Sequence, residues 1–149
     1  MRRPRALLSA LVLLAALAGQ LALARPAQAK SYDWDYIAVD INIQTNGDLE
    51  IVETQRFVFE GGTFTYAYRE IPLDRVEGID SVWVEDETGA RLRASLQRAK
   101  GRLRITWYFA PSGGTRTFRL HYRVQGALRV YPGGDQLWWK AIFSERSGP

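Results

Sequence analysis

The chain has 149 residues, with 20 Lys+Arg against 16 Asp+Glu, a formal charge of +4, one histidine and no cysteine. That inventory excludes disulfides, a lipid-modified leader cysteine and an ordinary zinc site. The basic excess is confined to Arg2, Arg3, Arg5 and Arg25; residues 30–149 carry 16 charges of each sign, so a nucleic-acid partner is not expected.

The chain opens with a basic Met-Arg-Arg-Pro-Arg, and residues 6–24 follow without a charge. Ala27-Gln28-Ala29 places small residues at the two positions a signal peptidase reads. This order predicts a helical signal peptide over 1–29, cut between Ala29 and Lys30. The alternative is an uncleaved anchor. Its 19 uncharged residues, interrupted in character by Gly19 and Gln20, sit at the short end of the roughly 17–25 that span a bilayer. On either reading residues 30–149 form an exported domain at the extracytoplasmic face of a bacterial membrane.

From Tyr36 onward the pattern alternates. Ile37, Val39, Ile41 and Ile43 share a face, and Asn46-Gly47 then marks a hairpin. An extended run from Leu49 to Phe59 is broken at Gly61-Gly62, after which Phe64, Tyr66 and Tyr68 share a face. Ser81–Glu85 is a short strand closed by Thr88-Gly89. Leu92, Ala94 and Leu96 alternate, and Lys100-Gly101 turns the chain. Leu103, Ile105, Trp107 and Phe109 form one face, a loop follows over Pro111–Gly114, and Phe118, Leu120, Tyr122 and Val124 form another. The last apolar run is Leu137–Phe143. Short strands with Gly/Pro turns and no helical period beyond the leader predict an all-β fold. The expected form is an antiparallel β-sandwich, Ig-like or Greek-key in style.

Residues 30–90 hold 14 acidic and 4 basic side chains, whereas 91–149 hold 2 and 12. The asymmetry makes either a dipolar surface that recruits a charged partner or acidic early strands paired with basic late ones. Two charges sit oddly. Glu53 has the parity of Leu49, Ile51, Phe57 and Phe59, and Arg69 lies between aromatics and Ile-Pro. A buried charge needs a partner, so Glu53 and Arg69 are expected to form a structural ion pair, unless a β-bulge near Val52 turns Glu53 to solvent.

Signals of chemistry are missing. His121 shares its face with Thr117, Arg119 and Arg123 and is expected to meet water. Asp33-Trp34-Asp35 lacks the oxygens of a calcium loop, no carboxylate spacing selects a glycosidase pair, and neither Gly-Gly precedes a helix as a phosphate loop requires. No catalytic residue, cofactor or metal is assigned. Adjacent Trp138 and Trp139 must point to opposite faces of a strand, so one of them is available as a sugar-stacking aromatic. The alternative is that Trp83, Trp107 and one of the pair fill the core.

The ordered pieces from Tyr36 to Ile41, Asn46 to Thr54, Phe57 to Phe59, Tyr68 to Leu73, Thr117 to Leu128 and Gln136 to Ile142 resemble the N-terminal domain of the DUF2207 family of predicted bacterial membrane proteins. The resemblance implies a leader, an extracytoplasmic β-domain and then transmembrane helices. The family has no assigned activity, so no site residue is carried over. It also implies further strands after Pro149, and hence that residues 30–149 are an incomplete domain whose membrane anchors lie outside this chain.

These readings together predict a non-enzymatic interaction or assembly domain of a membrane-anchored envelope protein. Its partner would be a protein or another envelope component. The alternative is a secreted carbohydrate-binding module using Trp138 or Trp139.

Overall fold

The structure, a computed structural model, describes residues 29–142, so the helical signal peptide expected over 1–29, apart from Ala29, and Phe143 lie outside the described residues. Within them the chain forms seven antiparallel strands: β1 (Ser31–Ile43), β2 (Leu49–Pro72), β3 (Gly78–Asp86), β4 (Arg93–Ala99), β5 (Arg102–Gln125), β6 (Leu128–Arg129) and β7 (Gln136–Leu137). The all-β antiparallel class expected from the alternation is the one observed.

The two long strands define the architecture. β2 and β5 have 24 residues each, where strands usually have about 3–10. Leu49–Phe59 pairs with Gly114–Val124, and Phe64–Pro72 pairs with Arg102–Ser112. Between these ladders the register shifts, at Gly61-Gly62 on β2 and beside Gly113-Gly114 on β5. Both strands bend there, and one sheet folds back on itself. The first layer contains β1, the first half of β2, the second half of β5, and β3. The second contains the other halves of β2 and β5, with β4. Trp107 of the second layer meets Phe57 and Phe118 of the first at 6.4 and 5.7 Å between ring centroids, which closes a sandwich-like core.

The Gly-Gly pairs therefore bend continuous strands where strand ends and a loop were expected. Gly61 and Gly114 have φ of 70° and 71°, in the left-handed region that favours glycine. A Cβ on Gly113 would lie 3.2 Å from the Gly62 carbonyl oxygen, so the two backbones also approach too closely for ordinary side chains. Lys100-Gly101 behaves as the sequence indicates: both have positive φ, 50° and 69°, matching the twist of a two-residue hairpin between β4 and β5.

Alternation sets the core. Leu49, Ile51, Phe57 and Phe59 of β2, Leu103, Ile105 and Trp107 of early β5, and Phe118, Leu120, Tyr122 and Val124 of late β5 are all buried. β3 departs from strict alternation. Its register shifts between Asp80 and Trp83, and Ser81 has φ of 52°. That bulge lets Ile79 and Val84 both face inward despite opposite parity, and it turns Trp83 outward. Trp83 is thus not a core residue. It stacks flat on His121 at 3.6 Å, and the Arg91 guanidinium lies 4.4 Å over its ring.

Trp107→Ala is expected to cost about 3–5 kcal/mol, because it empties the contact between the layers. Trp83→Ala should cost clearly less. Thermal unfolding followed by circular dichroism checks this ranking, and equal losses would contradict the placement of the two rings.

Candidate functional site

β2 runs without a register shift from Leu49 to Phe59, so no bulge relieves Glu53 and its side chain enters the core. Arg69, on the far half of the same strand, comes back over it from the second layer. Arg69 Nε lies 3.0 Å from Glu53 Oε2 and Nη2 lies 3.2 Å from Oε1, with the two side chains 4% and 0% exposed. The Tyr122 hydroxyl donates to Oε1 at 2.6 Å, and Gln55 Nε2 donates to Oε2 at 2.9 Å. Gln55 in turn accepts from the Trp34 indole at 3.2 Å, and Arg69 Nη1 donates to the Glu70 carbonyl. Burial, reinforced by the Glu53 charge, pushes the Tyr122 hydroxyl well above its ordinary 10.0, so it remains a proton donor at neutral pH.

Sequence parity also places Gln55 and Tyr122 on the inward faces of their strands. What it does not show is that both converge on one carboxylate. The network joins β1, both halves of β2, and β5. This is the geometry of a structural staple, with no nucleophile, histidine or open coordination position within it. Among the described residues no group of three or more His, Cys, Asp or Glu is placed to hold a metal ion.

The charge asymmetry is spent largely between strands. Arg123 Nη2 lies 2.7 Å from Asp80, Arg119 lies 3.0 Å from Glu85, and Arg116 lies 2.8 Å from Glu87. Each joins a late basic residue of β5 to an early acidic one, as the cross-strand alternative describes. His121 belongs to the same face but is less open than expected, because Trp83 covers its ring while Glu85 stands 3.4 Å from Nε2. That burial lowers the imidazole below its ordinary 6.5, against the raising effect of Glu85. Arg123 holds the Asp80 carboxyl below its ordinary value, and hydrogen bonds from Thr88 do the same for Asp86.

Trp138 and Trp139 point to opposite sides. Trp138 is 49% exposed, but the Arg75 guanidinium lies 4.3 Å over its ring and covers one face. Trp139 packs inward beside Tyr122 at 6.0 Å. The pair therefore offers no open two-ring platform for a sugar. At the other end, Ala29 and Lys30 lie against the glycine bend: a Cβ on Gly61 would fall 2.3 Å from the Ala29 carbonyl oxygen, and Lys30 Nζ donates to the Thr63 carbonyl at 3.0 Å.

The profile of the N-terminal domain of a family described as a predicted membrane protein, DUF2207, matches residues 35–149. The chain belongs to the DUF2207 family. No curated protein and no solved structure matches it. The family description names membrane association and no activity. Among the described residues no helix is long and apolar enough to cross a membrane.

Arg69→Met is expected to destabilise this DUF2207 domain by about 3–5 kcal/mol by stranding the Glu53 charge in the core. Glu53→Leu combined with Arg69→Met should recover most of that loss, and chemical denaturation of the single and double variants measures the coupling. Acidification should act in two stages. The folded His121 binds its proton at lower pH than the unfolded one, so its contribution is full above about 6.5 and is lost as pH falls through that value. Asp80 and Asp86, also depressed, hold their contributions down to about pH 4 and lose them below it. His121→Gln should remove the first stage and leave the second, as read from stability against pH.

Proposed function

We propose that residues 30–149 act as a non-enzymatic interaction or assembly domain of a membrane-anchored envelope protein, on the extracytoplasmic face of a bacterial membrane. One observation carries the reading. Among the described residues, half of the exposed large hydrophobic side chains fall within a single short stretch: Val130 at 76%, with Tyr131, Leu137, Trp138 and Ile142 all above 40%. Their concentration after β5 makes a contact surface, whereas scattered exposed apolar residues would not. Two further features support it. The leader pattern favours export, and the only deeply buried charges described, Glu53 and Arg69, are committed to each other. The carbohydrate-binding alternative is left with Trp138 alone, one face of which Arg75 covers, because Trp139 packs inward.

Expression of the whole chain with its leader in a bacterium tests the reading. Mass spectrometry should find a mature N-terminus at Lys30, and protease added to spheroplasts should reach the domain. A photo-crosslinker introduced at Val130 should give discrete adducts with envelope proteins, and Trp138→Asp should reduce them. A domain protected inside the cell, or adducts unchanged by Trp138→Asp, would overturn the proposal.

A further inference from the structure

The two layers are unequal. The first has four strands and the second three, and the difference falls beside β2. From Phe64 to Pro72, β2 pairs with β5 on one side, and no strand pairs with its other side among the described residues. The inward side chains of β1, whose layer extends one strand further, overlook this open edge. Tyr32 meets Phe64 at 6.1 Å between rings, while Trp34 lies beside Tyr32 at 5.3 Å. Between them runs a groove of about 510 Å³, bordered by the consecutive residues 63–68 of β2 and floored by Phe57 and Phe59.

Three properties restrict what fits. The border is a sheet edge, so it offers main-chain donors and acceptors to an extended chain. The walls are aromatic, with Tyr66 53% and Tyr68 39% exposed, and suit apolar side chains projecting on one side of that chain. The charged residues lining the groove are Lys30 and Arg104, and no carboxylate lines it. Lys30 donates to a neutral carbonyl, and Arg104 lies 3.9 Å over Tyr68 and forms a half-exposed ion pair at 3.7 Å with Glu70, which is not part of the lining. The groove is therefore cationic as well as aromatic.

We infer that this groove docks an extended acidic peptide segment, which adds as a fourth strand to the open edge of β2 and sets alternate apolar side chains against Tyr32, Trp34 and Phe64. The inference rests on the interaction-domain reading; the groove itself is lined by none of Val130–Ile142, although the far end of the edge, at Ile71, borders Leu137, Trp138 and Trp139. A strand along Phe64–Ile71 spans about 26 Å at roughly 3.3 Å per residue. Eight residues are therefore enough to follow the edge.

The test uses the exported chain and a synthetic octapeptide of alternating Val and Glu, with Trp fluorescence and amide chemical shifts as readouts. The peptide should bind saturably, shift the amides of Phe64–Ile71 and slow their exchange. A Val-Lys octapeptide, and a Val-Glu octapeptide N-methylated at alternate amides, should bind at least about tenfold more weakly. Lys30→Glu with Arg104→Glu should weaken the Val-Glu complex by about tenfold while the circular dichroism spectrum stays unchanged. Val130→Asp, at a residue that lines neither the groove nor the cavity at Ile71, should leave the peptide affinity as it was, so failure at the groove is distinguishable from failure of the interaction-domain reading. Undiminished binding of the N-methylated peptide would overturn strand addition. Binding of oligogalacturonate in place of the peptide would reassign the groove to an acidic glycan, and binding of none of these probes would sink the inference.

Discussion

Glu53 has no solvent exposure, and a carboxylate placed there without partners would cost several kcal/mol. Its partners come from separate parts of the fold: Arg69 from the second layer, Tyr122 from β5, and Gln55 from β2, with Trp34 of β1 one bond further out. These side chains converge only when β2 has bent at Gly61-Gly62 and β5 has bent beside it. The network and the bends thus require each other. A hydrophobic core alone would tolerate several ways of sliding one layer over the other, whereas a bidentate ion pair with two further donors is satisfied in one. We take the pair's main role to be specification of that layer geometry, consistent with the small net stability that buried ion pairs usually contribute.

The bend also accounts for the outer features. Folding a single sheet at a line across β2 and β5 leaves β1 without a counterpart in the second layer, and the aromatic groove lies at that unmatched position. At the other side β3 carries a bulge at Ser81, which exposes Trp83 and permits its stack with His121 and Arg91. The chain continues beyond β5 through β6 and β7, bringing Trp139 against Tyr122 and leaving Trp138 outside. The groove borders residues 63–68 of β2, and Leu137 and Trp138 stand beside Ile71 and Pro72 at the end of that strand.

Much of this was legible beforehand because a strand's period is two. Parity alone identified the buried faces of the first half of β2 and of both halves of β5, and it marked Glu53 as a charge on the wrong face. On the second half of β2 the register shift between Phe64 and Tyr66 leaves Tyr66 and Tyr68 outside and buries Ala67, Arg69 and Ile71. Trp138 and Trp139 do separate, but not by strand alternation: the strand expected over Leu137–Phe143 ends at Leu137, and both tryptophans follow it. The misplaced residues have specific causes. Trp83 was counted with the core because one extra residue at Ser81 inverts every later position on β3, and Ser81 carries no mark of that role. Gly61-Gly62 and Pro111–Gly114 looked like strand ends because glycine interrupts a strand as readily as it bends one, and only the resumed ladder distinguishes the two. The groove drew no attention because Tyr32, Phe64 and Tyr68 belong to segments read separately.

The sequence by itself determined the β class, the membership in DUF2207, the inward faces of early β2 and of β5, the neutral charge of residues 30–149 and the need of Glu53 for a partner. All of these depend on composition, order or local period. The tertiary structure decided which residues complete the Glu53 network, that two glycine pairs bend strands, and where one layer lacks a strand. These depend on contacts between residues as far apart as Glu53 and Tyr122, which are fixed by the folding of the sheet and have no local signature in the chain.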